Sequence, residues 1–316
     1  MTLGSGPETD ASVSRDGTTL VYSTNLEDYN VVVRDMASGF ERPFGTRREE
    51  TMPRFTADRL AVVFMSDRVD GRDELWEQSL TGLAASGDAR RVTRHETGDV
   101  VHPAVSPDGR WIAYYRVVQG QRDIWVVSAD GVSPLPFTTH AASDIQPGWS
   151  PDGSKLAFTS ERDGLFHIWV GAIANGRPAG PPWQLTRGPT REMAPEWSPD
   201  GAWIAYTAEP TASSGDVWVT RSDGSGTPRR VTTGAGALRM RWVKPDQMLV
   251  SGSWGAATLS VRFVDPRSGT VTVPTPPIVF GDDPAMCDFD ADTTGGRVVF
   301  SRVTRTGNIW KLTGQF

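Results

Sequence analysis

The chain has a single cysteine, Cys287, in 316 residues, so no intrachain disulfide can staple it. It has no apolar run near the ~18–20 residues that a bilayer crossing needs, which argues against membrane insertion. Basic blocks are missing too. Pairs such as Arg47-Arg48 and Arg229-Arg230 are too short for a nucleic-acid footprint, and the formal charge is −6. The opening MTLGSGPETD carries neither a basic n-region nor an apolar h-region, so no signal peptide is expected within this chain. Catalytic signatures are equally scarce. No G-x-S-x-G is present for a serine nucleophile, and Gly4-Ser5-Gly6-Pro7 reads as a turn rather than a phosphate loop. No C-x-x-C or H-E-x-x-H offers a zinc site, and there are only four histidines.

What the sequence does have is turns and repetition. Thirty-three glycines and 23 prolines are spread along the chain, which suits many tight reversals rather than a disordered tail. Aligned on the residue before the recurring turn, the anchors are Val13, Phe55, Val105, Trp149, Trp197, Trp242 and Phe289, at intervals of 42, 50, 44, 48, 45 and 47. Periods of ~40–50 residues with strand signals in every unit belong to propellers, and the apolar spacing of three and four that helical repeats need is absent.

The best unit shows how the pattern works. Strand A ends Pro195-Glu196-Trp197, and Ser198-Pro199-Asp200-Gly201 reverses the chain. Proline pre-sets φ at the second turn position, aspartate suits the third, and glycine relieves the fourth. Strand B follows at Trp203-Ile204-Ala205-Tyr206, strand C at Val217-Trp218-Val219 and strand D at Arg230-Val231-Thr232. That is an antiparallel meander. The turns at 106–109, 150–153 and 198–201 are perfect copies; those at 14–17, 56–59, 244–247 and 290–292 are degraded. Strand C carries Trp76, Trp125, Trp169, Trp218 and Trp310 in five units, and repeat-locked tryptophans read as packing between blades rather than as a ligand cage.

The expectation is therefore an all-β, single-domain propeller of seven four-stranded blades, with six as the alternative. The units are 8–49, 50–99, 100–143, 144–191, 192–236, 237–283 and 284–316, and residues 1–7 close the last blade. In that closure Thr2 and Leu3 pair with strand C of the last unit, Asn308 to Lys311.

The pattern WSPDG…IAF…DG…IWV…DG…LT resembles the PD40 (WD40-like) repeats of the TolB-like propeller family, over essentially the whole chain. The resemblance implies a module that binds a protein or peptide at the channel mouth, in a periplasmic or extracytoplasmic setting. Similar repeats occur in propeller parts of serine peptidases, kinases, transcriptional regulators and metal-dependent pectin lyases. On this reading the chain is expected to depart from TolB in having seven units and in lacking the extra N-terminal domain. Lyases of this fold hold manganese with several histidines and a glutamine. His102, three residues before its anchor, and Gln146, at the same place in the next unit, invite that comparison, although the motif spacing does not match. His95 and His140 share a loop position after strand D, and His167 reads as a surface residue. Asp67, Asp70 and Asp73 lack the alternation of a calcium loop and read as a solvated hairpin.

The residues expected to carry function lie where strand D runs back to the next strand A. Five residues before the anchors stand Glu8, Glu50, Val100, Asp144, Glu192, Ala237 and Pro284; Asp99 and Asp283 lie one place earlier. Converging on the axis, these acids would attract a basic peptide or a cation such as calcium, with Arg191 and Arg239 partly neutralising them. The expected ligand site is Glu8, Glu50, Asp99, His102, Asp144, Gln146, Glu192, Arg239 and Asp283. The expected function is a non-catalytic interaction or sensing module of a larger bacterial system. It would act as a monomer without a resident cofactor; the rivals are a metal-dependent lyase of acidic sugars and the propeller domain of a kinase, transcriptional regulator or peptidase.

Overall fold

The computed structural model describes residues 8–14, 18–46, 48–209, 215–281, 288–292 and 296–313. Its regular structure is all strand, arranged in six antiparallel sheets that follow one another around a ring. No helix among the described residues is long and apolar enough to cross a membrane.

Five blades read straight along the chain, innermost strand first. Blade I is Glu50–Phe55, Ala61–Ser66, Glu74–Thr81 and Arg90–Arg91; blade II is Asp99–Val105, Trp111–Val118, Gln121–Ser128 and Leu135–Pro136. Blade III is Asp144–Trp149, Lys155–Ser160, His167–Ala174 and Trp183–Gln184, and blade IV is Arg191–Trp197, Trp203–Glu209, Asp216–Arg221 and Arg229–Arg230. Blade V has Ala237–Lys244, Gln247–Gly252 and Leu259–Val264, with Val271–Thr272 and Ile278–Gly281 both on its outer side.

Blade VI is where the count of seven becomes six. Its inner strands come from the C-terminus, Phe289–Ala291 and Arg297–Thr313, and its outer strands from the N-terminus, Thr19–Asp35 and Glu41–Phe44. The first and last repeat units are thus two halves of one blade. The cause is a continuous pairing of two 17-residue strands, from Thr19 opposite Thr313 to Asp35 opposite Arg297, which pulls the B–C turns of both units straight. The half of this ribbon inside the ring is buried, with Val31, Val33, Val299 and Phe300 fully covered. The other half, with Glu8–Val13 added at its edge, leaves Val13 51 % and Val21 36 % exposed. Asn308 to Lys311 therefore pair with Thr24 to Val21. The expected closure by Thr2 and Leu3 falls outside the described residues.

The recurring turn is held by its serine and aspartate. Ser106 donates its hydroxyl to Asp108 Oδ1 at 2.6 Å and accepts Trp111 N at 2.9 Å, while Gly109 takes φ 70°. Ser150/Asp152 and Ser198/Asp200 repeat the geometry, and Thr56/Asp58 reproduces it with Arg59 at φ 61° in place of glycine. Glycine is preferred at that position because a Cβ makes a positive φ costly. The same turn locates the last anchor at Ala291, since Asp292 N donates to Arg297 O as Thr56 N does to Ala61 O. Phe289 is consequently two residues before its anchor, where other blades carry Pro53, Pro103, Pro147, Pro195 and Met240.

Each pair of neighbouring blades encloses its own apolar cluster. Val63, Leu75, Ile112 and Tyr114 join I to II, and Ala157, Ile168, Ile204 and Tyr206 join III to IV. The anchor tryptophans add a polar stitch. Nε1 of Trp149, Trp197 and Trp242 donates to the carbonyls of Ala104, Gly148 and Glu196 in the preceding blade, at 2.9, 3.2 and 3.3 Å.

Candidate functional site: the axial cleft

The innermost strands of blades I to V each contain an extra residue, a bulge that turns a side chain toward the axis. Three residues before the anchors, Met52, His102, Gln146 and Ala194 take φ between 54° and 55°. Such values are uncommon for residues with a Cβ, so the ring imposes them. The bulges are latched from the neighbouring blade: Met52 N donates to Ser301 Oγ at 3.1 Å and Ala194 N to Gln146 Oε1 at 3.0 Å. With the anchor of blade VI at Ala291, the same tier holds Arg239 and Asp288. One step of the pleat further on, a second tier reads Arg54, Ala104, Gly148, Glu196, Arg241 and Asp290. Residues of both tiers line a cleft of about 170 Å³.

The charged members form one connected network drawn from every blade except III. Asp288, 3 % exposed, pairs with Arg54 at 2.8 Å and lies 3.5 Å from His102 Nε2, 3.9 Å from Arg241 and 4.0 Å from Arg239. Arg239 Nη2 is 2.8 Å from His102 Nε2, and His102 stacks on Tyr115. Arg241 reaches Glu196 and Asp290, each at 3.2 Å. Burial opposes ionisation of Asp288, but the guanidinium groups of Arg54, Arg239 and Arg241 together hold its carboxyl well below the usual range. Burial, reinforced by Arg239, keeps His102 neutral with a pKa well below the ordinary histidine value. Three guanidinium groups thus face three carboxyl groups, and the cleft is polar and nearly balanced.

Glu196 is pushed up to about 6 by burial, which Arg241 only partly offsets. A carboxyl raised in the fold binds its proton more tightly than in the unfolded chain, so its contribution falls as pH rises from about 4.5 to about 6. Wild-type protein should lose on the order of 2 kcal/mol across that window through this group, and Glu196→Gln should flatten the difference. Chemical denaturation of both proteins at pH 4.5 and 7 measures it; parallel pH profiles would mean that Glu196 titrates normally.

Of the residues expected from sequence, His102, Gln146 and Arg239 meet at this cleft. The acidic tier above it is sequestered. Glu50, fully buried, accepts from Arg68 at 2.6 Å and from Thr46 N and Oγ1 at 2.9 Å; Asp144, also fully buried, accepts from Arg162 at 2.6 Å. Glu192 accepts from Gly188 N at 3.2 Å. Asp99 heads its strand beside Asp73, whose carboxyl is raised to about 7 by burial and by Glu49, Asp99, Asp67 and Glu74. Glu8 stands in the edge strand Glu8–Val13, on the side of its sheet away from Phe289–Ala291, and Asp283 lies outside the described residues. His167 is buried rather than superficial: its ring bonds to Asp163 at 2.7 Å and to Gly188 O at 2.9 Å. His95 meets the Tyr114 hydroxyl at 3.0 Å, and His140 Nδ1 accepts from Ala142 N. Among the described residues no group of three or more His, Cys, Asp or Glu is placed to hold a metal.

Sequence reading missed Arg54, Glu196, Arg241, Asp288 and Asp290. The signal was present in the columns one and three residues before the anchors, but the anchor of the last unit was set two residues early.

Comparison with known proteins agrees with this architecture. Residues 83–181 match the model of the TolB beta propeller domain, PD40. An uncharacterised protein of Agrobacterium fabrum is 41 % identical over 81 residues, 26 % of this chain and 27 % of the relative. The Tol-Pal system protein TolB of an Anaeromyxobacter strain is 34 % identical over 122 residues, 38 % of this chain and 26 % of the relative. The chain thus spans about a quarter of these curated relatives. Among solved structures, a TolB candidate from Agrobacterium tumefaciens superposes with a TM-score of 0.73 at 21 % identity, covering 88 % of this chain and 99 % of that one. In fold the chain is a six-bladed β-propeller, and its repeat sequence over residues 83–181 is similar to that of the TolB beta propeller domain.

Proposed function

We propose that this chain is a non-catalytic interaction module of a bacterial system, acting as a monomer and without a resident cofactor. In this reading it binds a protein or peptide segment at the axial cleft, in the periplasm or another extracytoplasmic setting. The observation that carries the reading is the two-tier cluster of Arg54, His102, Glu196, Arg239, Arg241, Asp288 and Asp290, drawn from five blades. Mixed and nearly balanced charge suits a peptide segment, whose carbonyls, amides and side chains offer both donors and acceptors. The likeness to a Tol-Pal system protein supports a protein partner over a small metabolite. A photo-crosslinking residue placed at Ala104, on the second tier, should capture a defined partner in the native host. The same residue at Val271, exposed on the outer rim, should not. Identical adducts at both positions, or none at Ala104, would remove the axial reading.

The metal-dependent lyase has one feature in its favour, His102 and Gln146 at matching places with Asp288 on the same tier. Against it, the Arg239 guanidinium lies against the ring nitrogen of His102 and repels a cation. Stoichiometric manganese in purified protein would reverse this preference.

A further inference from the structure

Four blades share a device that a fifth lacks. Where strands B and C face each other, an aromatic pair recurs: Phe64 opposite Trp76, Tyr114 opposite Trp125, Phe158 opposite Trp169, and Tyr206 opposite Trp218. In blade I, Arg68 lies over the pair, 5.1 Å from the Phe64 ring and 4.6 Å from that of Trp76, and its guanidinium meets buried Glu50. In blade III, Arg162 lies 5.3 Å from Phe158 and 5.1 Å from Trp169 and meets buried Asp144. Arg116 covers Trp125 in blade II and Arg302 covers Phe300 in blade VI, both at 5.1 Å.

Blade IV keeps the aromatic pair and the acid, but among the described residues no arginine lies over the pair; its Arg221 covers Trp203 and its Arg230 pairs with Asp216. The position of Arg116, two residues beyond the B-strand aromatic, is Ala208; that of Arg68 and Arg162, four beyond, is Pro210. From Trp203 to Thr220 the sequence contains neither lysine nor arginine. Glu192 stands where Glu50 and Asp144 stand, five residues before its anchor. Its side chain is 6 % exposed, and its nearest cationic group is His167 Nε2 at 3.8 Å. Among the described residues only its Oε2 is engaged, by Gly188 N. Glu192, Tyr206, Ala208 and Trp218 line a cavity of about 510 Å³, whose rim also carries Arg187, bonded to Gln184, and Arg230, paired with Asp216.

We propose that this cavity takes an arginine side chain from a protein partner, seated as the chain's own arginines sit in blades I and III. The guanidinium would lie over Trp218 and donate to Glu192. The chemistry is the one the sister blades display: cation over aromatic face, and a charge-assisted bond to a carboxylate withdrawn from water. Arginine fits better than lysine because its flat group stacks and donates at the same time. The inference rests on the chain being an interaction module but not on the axial cleft, from which it is tested separately.

The test uses the whole chain and Nα-acetylarginine amide, with the citrulline amide as a neutral probe of the same shape, read by saturation-transfer NMR and calorimetry. The arginine amide should bind and the citrulline amide should bind at least about 10-fold more weakly. Glu192→Gln should weaken the arginine amide by a similar factor. Ala208→Arg, which restores the arrangement of Arg116, should abolish binding while keeping or raising the melting temperature, and it decides the matter if Glu192→Gln does not fold. No binding of the arginine amide, equal binding of citrulline, or undiminished binding to Ala208→Arg would overturn the proposal.

Discussion

Trp197→Ala is expected to lower folding stability by about 3–5 kcal/mol, the penalty for deleting a buried large aromatic. Trp197 is 7 % exposed and fills the cluster between blades III and IV with Ala157, Ile168, Ile204 and Tyr206. Its indole also supplies the hydrogen bond to Gly148 O, which the alanine leaves without that donor. The surroundings have little freedom to close over the gap, because the blades already touch there: a Cβ on Gly148 would sit 2.9 Å from Pro195 O. Trp183, 40 % exposed, is the control, and Trp183→Ala should cost less than about 1 kcal/mol. Urea unfolding of both variants measures the contrast. A loss below about 1 kcal/mol at Trp197 would mean that interblade packing does not depend on the anchor.

Asp288→Asn should cost a comparable ~3–5 kcal/mol at pH 7, because it strips the shared carboxylate from buried guanidinium groups. Arg54 depends on it most, at 2.8 Å and with only 8 % of its side chain exposed. The sign of the pH effect follows from the depressed pKa. A carboxyl held below its unfolded value contributes stability that is complete above about pH 4 and drains away as pH falls further. The gap between wild type and Asp288→Asn should therefore be widest near neutrality and narrow below pH 4. A gap independent of pH would show that the loss comes from packing and not from charge.

Much of this architecture is readable from local chemistry. The Ser-x-Asp-Gly turn specifies its own hydrogen bonds within six residues, so the three perfect copies were legible without any tertiary contact. The same holds for strands A to C of blades I to V, whose apolar patterns match the buried positions. The functional cleft was half legible. His102, Gln146 and Arg239 stand out because they recur at one offset from an anchor, whereas Asp288 and Asp290 were hidden by a degraded turn that displaced the last alignment. The acidic tier illustrates the opposite error. Glu50 and Asp144 do recur on one tier, but Arg68 and Arg162 are 18 residues away along the chain and reach back to cover them.

By itself, the sequence determined the repeat, the meander within blades I to V and some of the residues facing the axis, since each depends on interactions spanning a turn or one strand pair. Only the tertiary structure decided that seven units make six blades. That outcome rests on pairing between residues 262 to 294 positions apart, from Thr19 with Thr313 to Asp35 with Arg297, which no local pattern encodes. It also decided which charges are spent. A carboxylate is available to a partner only when no guanidinium of its own chain folds over it, and among the described residues none folds over Glu192.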